Sequence, residues 1–153
     1  MPMIETRDGT RLYAKSWGDG PPVVLIHGWP LSGDSWDPVM MHLADNGMRA
    51  VAYDRRGFGG SDHAASGYDY DTFSDDLADL IAHLGLDANI GLAGFSMGGG
   101  EVAHHPVAPN LGDDRGGGDR AALGIARDDG DAGLHQRFAG HARALVLGQD
   151  GIE

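Results

Sequence analysis

Residues Ala88–Ala103 read "ANIGLAGFSMGGGEVA", and how this stretch is parsed decides the fold. "ANIGLAG" (Ala88–Gly94) is a short apolar run of the kind that forms a strand covered on both faces. Gly94-Phe95-Ser96-Met97-Gly98 follows at once and fits G-x-S-x-G, with a potential helix behind it. In that order, Gly94 and Gly98 allow a turn too tight for side chains, and the strained turn lifts the Ser96 hydroxyl to the C-terminal edge of a sheet. The helix that follows points its first N–H groups and its dipole toward developing negative charge. A Gly-Ser loop that merely connects strand to helix is the plainer alternative, and the flanking pattern argues against it.

Working outward toward the N-terminus, apolar β-branched runs alternate with amphipathic stretches, the pattern of parallel strands joined by crossover helices. "RLYAKSWG" (Arg11–Gly18) follows the turn signal Asp8-Gly9 and reads as a half-exposed strand of an N-terminal hairpin. "PVVLIHG" (Pro22–Gly28) reads as a central buried strand, and "MRAVAYD" (Met48–Asp54) as the next, ending in the Gly-rich loop "RRGFGGSD". Ser35–Asn46, with Trp36, Val39, Met40 and Leu43 in helical spacing and Gly47 as its stop, predicts a helix. Tyr70–Leu84, with Phe73, Leu77, Leu80, Ile81 and Leu84 on one face and acidic residues opposite, predicts another.

An acyl-transfer site needs two N–H donors aimed at an oxyanion. Met97, the residue after the serine, supplies one candidate. The loop after the "VVLI" strand supplies the other at Trp29, where Gly28 permits close backbone approach. His27 stands at a strand end in a Gly-Pro turn, which suits a loop-fixing histidine better than a base.

"HGWPLSGDSWDPVM", "AVAYDRRGFGGSD" and "GFSMGGGEVA" at these spacings resemble the α/β-hydrolase superfamily. The resemblance is closest to its bacterial branch of cofactor-free (non-haem) haloperoxidases and arylesterases, and it runs from about Met3 to Ala103. It implies a Ser-His-Asp triad with no metal or cofactor, Ser96 as nucleophile, Trp29 and Met97 as oxyanion donors, and hydrolysis of a small carboxylic ester. It also implies peracid formation from a carboxylic acid and hydrogen peroxide, the peracid then oxidising halide. Relatives that open epoxides or cleave carbon–halogen bonds use an Asp nucleophile, against which Ser96 argues.

The fold class expected is therefore α/β: the N-terminal portion of a mostly parallel sheet with helices on both faces (1–103), followed by an irregular tail (104–153). In that tail Gly, Ala, Asp, Arg and His make up about two thirds of the residues, close to a disordered composition. The acid and base of a triad would have to come from it, and the spacing selects no pair among Asp113, Asp114, Asp128, Asp129, Asp131, His104, His105, His135 and His141. A reading-frame shift near codon 103 of a GC-rich gene explains the abrupt change, and it makes the chain a truncated hydrolase with little activity of its own. The rival is a non-catalytic α/β fragment or binding module. Truncation would leave the inner strand Asn89–Ala93 as an uncovered sheet edge prone to self-association, with Ala142–Leu147 the stretch able to cover it as a short parallel strand.

Composition narrows the partners. A net charge of -12 with a single lysine, Lys15, repels nucleic acid. No apolar run is long enough for a membrane helix, and the N-terminus lacks the form of a signal peptide. Zero cysteines exclude disulfides and thiolate chemistry and fit a cytoplasmic location.

Overall fold

The computed structural model describes residues 3–86 and 90–105, and the backbone course of 144–147. Its elements are β1 (Met3–Glu5), β2 (Arg11–Trp17), β3 (Pro22–Ile26), α1 (Asp37–Asp45), β4 (Arg49–Tyr53), α2 (Tyr70–His83), β5 (Gly91–Phe95), α3 (Met97–His104) and β6 (Ala144–Leu147). They build one six-stranded sheet in the order β1-β2-β4-β3-β5-β6. β1 and β2 form the expected hairpin, and β2 runs antiparallel to β4. The β4–β3, β3–β5 and β5–β6 pairs are all parallel.

Continuous apolar strands need cover on both faces, and they have it. Val24, Ile26, Val51, Tyr53 and Leu92 face one side, packed under Leu77, Leu80 and Ile81 of α2 and Val102 of α3. Leu25, Ala50, Ala52 and Ala93 face the other, where Trp36 and Met40 cover them. Register carries the alternation across the strands: Val24 lies beside both Val51 and Leu92, and Leu25 beside Ala52 and Ala93. The small alanines let α1 approach closely, whereas the larger side chains fill the space below α2 and α3.

Three local readings are corrected. The helix expected from Ser35 begins as a 3-10 turn over Gly33–Trp36, capped by the Ser32 hydroxyl, and becomes α-helical only from Asp37. Pro38 explains the restart, since its fixed φ suits a first helical turn and it has no N–H to give the turn before it. Lys15, on the strand read as half-exposed, is itself buried, held by Asp34 at 2.6 Å and by Asp37. Asp76 is likewise buried, although the acidic residues of α2 were expected to face solvent, because Arg56 reaches it with two hydrogen bonds of 2.7 Å.

β5 is not an uncovered edge. Its outer side pairs with β6 from Leu92↔Ala144 to Phe95↔Leu147, so the strand expected within Ala142–Leu147 takes up the backbone groups that would have stayed open. Among the described residues no helix is long and apolar enough to cross a membrane.

Candidate active site

β5 ends at Phe95, α3 begins at Met97, and Ser96 between them has φ 53 and ψ -118. Among the described residues it is the only one other than glycine at positive φ. Such a conformation is costly for a side-chain-bearing residue and persists only where its surroundings over-determine it. Those surroundings start with the flanking glycines. A Cβ on Gly98 would overlap the Ile26 carbonyl oxygen and lie 2.9 Å from that of His27. One on Gly94 would overlap the Gly98 carbonyl and stand 2.6 Å from Gly99 N. The Gly99 N–H donates to Ser96 O at 2.9 Å and closes the turn. Ser96 is exposed, and its side chain makes no capping bond to α3.

The loop after β3 packs directly on this turn. A Cβ on Gly28 would lie 2.9 Å from Phe95 O and 3.0 Å from Ser96 Cβ, so only a glycine fits between them. Gly28 O accepts from Leu31 N at 2.9 Å, which folds the loop, and Trp29, the residue after Gly28, is 67% exposed. His27 fixes the other end. Its Nε2 accepts the Arg55 N–H at 3.1 Å, so the ring proton belongs on Nδ1, which stands 2.9 Å from Gly28 O. Both nitrogens are thus occupied, and burial lowers the pKa of the imidazole. A buried, doubly bonded histidine of this kind holds a loop and has no lone pair for a serine.

The candidate bases and acids divide by position. Asp113, Asp114, Asp128, Asp129, Asp131, His135 and His141 lie outside the described residues. His104 ends α3, about 12 Å along the helix axis from Ser96, and its Nε2 is 2.6 Å from Asp71 Oδ1 on α2. His105, next along, is buried, which lowers its pKa. Among the described residues no group of three or more His, Cys, Asp or Glu is placed to hold a metal ion.

Sequence reasoning passed over four buried polar residues below the turn. Asp54 accepts from Gly33 N at 2.6 Å and from Gly60 N at 2.7 Å, tying the far end of the loop after β3 to the loop after β4. Glu101, fully buried on α3, accepts from the Tyr53 hydroxyl and lies 2.6 Å from Arg55 Nε. Burial pushes Glu101 up to about 7, against the pull of Arg55 and Tyr53, and pushes the Tyr53 phenol up as well. The available signal was the charge itself: "YDRRG" and "GGGEVA" place ionisable residues immediately beside core positions.

A family model described as alpha/beta hydrolase fold matches residues 21–105. The non-heme chloroperoxidase CPO-A1 of Kitasatospora aureofaciens is 50% identical over 105 residues, 69% of this chain and 38% of that protein. The bifunctional esterase/perhydrolase DCH of Acinetobacter calcoaceticus is 42% identical over 107 residues, again 69% of this chain and 38% of its own length. Among solved structures, a bromoperoxidase from Bacillus anthracis superposes with a TM-score of 0.65 at 50% identity, covering 68% of this chain and 38% of that one. The chain thus spans 38% of the length of both curated relatives.

Proposed function

We propose that this chain, which belongs to the α/β hydrolase fold family, carries the nucleophile and oxyanion side of a serine-dependent carboxylic-ester hydrolase. The observation that carries the reading is the exposed Ser96 at positive φ with the Gly28 backbone packed on its Cβ. In the reaction, Ser96 Oγ attacks the ester carbonyl, and the N–H groups of Met97 and Trp29 hold the oxyanion. Gly94 and Gly98 shape the turn, and Gly28 and His27 hold the loop that presents Trp29. Collapse of that intermediate expels the alcohol and leaves an acyl-serine, which water hydrolyses to the carboxylic acid with return of the serine hydroxyl. Hydrogen peroxide in place of water yields the peracid and frees the serine, which is the perhydrolase variant named among the relatives.

A hydroxyl becomes a competent nucleophile only when a base takes its proton. Among the described residues no side chain hydrogen-bonds the Ser96 hydroxyl, and His27, His104 and His105 are committed or distant. With no base selected by the spacing of the remaining candidates, we expect the chain to hydrolyse a short aryl ester at close to the background rate, since losing triad members costs orders of magnitude. We place its action in the cytoplasm, on small esters or carboxylic acids, and any self-association at the outer side of β6. Steady-state assays of wild type and Ser96→Ala test the reading. Robust turnover that survives Ser96→Ala rules out the nucleophile, whereas robust turnover abolished by it puts a base within this chain.

A further inference from the structure

We infer that the buried Tyr53–Glu101–Arg55 cluster is a positioning clamp for Ser96, holding α3 on β4 so that the strained turn cannot relax. The helix needs such a hold. It has eight residues, and Gly98, Gly99 and Gly100 occupy most of its first turn, a composition with poor intrinsic helicity. Its buried side chains are few: beside glycine, only Glu101 and Val102 turn inward. Val102 packs without direction in the core, whereas Glu101 accepts a directional hydrogen bond from Tyr53 at the end of β4 and forms an ion pair with Arg55 just beyond it.

The cluster also ties together everything that frames Ser96. Arg55 stacks its guanidinium 5.1 Å from the Phe73 ring of α2, and its own amide is the donor that fixes His27 and so the Gly28 loop. One buried carboxylate thereby connects α3, β4, α2 and the loop after β3. A carboxylate fully inside a core is a costly way to fill space, and a leucine there would pack more favourably. What a leucine cannot supply is a fixed direction of approach between α3 and β4. The purpose assigned to the clamp rests on Ser96 being the nucleophile, but the clamp itself is a statement about geometry.

NMR of the full chain tests it. The Ser96 Cα and Cβ shifts report positive φ, and amide exchange at Met97–Gly100 is compared with exchange in α2. Glu101→Leu is expected to move the Ser96 shifts away from left-handed values and to speed exchange at Met97–Gly100 at least tenfold relative to α2. Glu101→Gln keeps the shape and an acceptor for Tyr53, and is expected to recover most of the wild-type signature. A folded Glu101→Leu protein with unchanged Ser96 shifts and unchanged relative exchange overturns the clamp. If that variant does not fold, Tyr53→Phe, which removes a single hydroxyl, carries the same comparison with the same two outcomes. Neither readout uses turnover, so the clamp and the ester-hydrolase reading fail separately.

Discussion

Arg55 and Arg56 leave β4 side by side, 1% and 2% exposed, yet their charges are met in different ways. Arg56 forks onto Asp76 through Nε and a terminal nitrogen, both at 2.7 Å, with Asp8 at 2.8 Å and the Ser66 carbonyl at 3.4 Å around it. Among the described residues Arg55 has one carboxylate contact, 2.6 Å from Nε to Glu101, an ion pair rather than an aligned hydrogen bond, and its terminal nitrogens have no hydrogen-bond partner. Aromatic contact with Phe73 makes up part of the deficit. Arg56 thus joins α2, through Asp76, to the N-terminal hairpin, through Asp8. The under-satisfied pair lies beneath the helix that follows Ser96. Buried polar groups that are incompletely met are costly, and finding the poorer pair at the candidate site fits a role in geometry more than in stability.

The largest effect expected follows from breaking the better pair. Arg56→Met leaves the buried Asp76 carboxylate without its partner, for which about 3–5 kcal/mol is lost from the unfolding free energy in urea, and Asp76→Leu costs less because Asp8 still meets Arg56. The double variant Arg56→Met/Asp76→Leu removes both buried charges but also gives up two aligned hydrogen bonds of 2.7 Å, so it should recover only part of that loss. The double variant Arg55→Met/Glu101→Leu should recover most of the loss caused by Glu101→Leu alone. Equal recovery in the two doubles would erase the contrast between the arginines.

A second effect separates the pairs by pH. Glu101, pushed up to about 7 when folded from an ordinary value of 4.5, keeps a proton that the unfolded chain releases. Its contribution is therefore fully present below pH 4.5 and is lost as pH rises through 7, by about 3 kcal/mol in all. The buried His27 and His105, lowered by desolvation, act in the opposite sense within an overlapping window, so the informative quantity is wild type minus Glu101→Gln. That difference should fall between pH 4.5 and 7 and be flat on either side. Burial also raises Asp76, but its two bonds from Arg56 oppose the rise, so the same subtraction with Asp76→Asn should have a smaller amplitude. A larger amplitude for Asp76 would reverse the ranking.

Both arginines show where a linear reading of the chain stops. The strands, the two long helices and the turn at Ser96 were legible because each has a local period or a local steric demand, and even β6 stood out as an apolar run. Which residue meets a buried charge has no such local mark. Glu101 lies 46 positions from Arg55, and Asp76 lies 20 from Arg56, so neither pairing leaves a pattern in any short window. Asp76 looked like part of a solvated face because helical spacing alone cannot show that a guanidinium reaches across to it. The burial of Lys15 has no local mark either, since its partners Asp34 and Asp37 arrive from beyond β3. Asp54 organises two loops entirely through backbone N–H groups, which no side-chain pattern encodes.

The smallest effect concerns the third group around Arg56. The Asp8 side chain is 46% exposed, and its carboxyl is held well below the usual range first by the Thr10 N–H and then by the Thr6 hydroxyl, with Arg56 a lesser cause. Its local bonds, 3.0 Å from Thr10 N and 2.8 Å from Thr6 Oγ1, belong to the hairpin turn. Asp8→Asn keeps an acceptor for those bonds and removes the charge. A half-exposed ion pair contributes little, so the expected cost is about 0.5 kcal/mol. It should also vanish in about 1 M salt, where the screening length shrinks to about 3 Å, while the deficit of Arg56→Met persists because Asp76 is shielded from the ions. Urea titrations of both variants with and without salt measure this. An Asp8→Asn deficit as large as that of Asp76→Leu, or one that salt leaves intact, would mean that Arg56 is held chiefly from the hairpin, and that its bidentate grip on α2 is not what distinguishes it from Arg55.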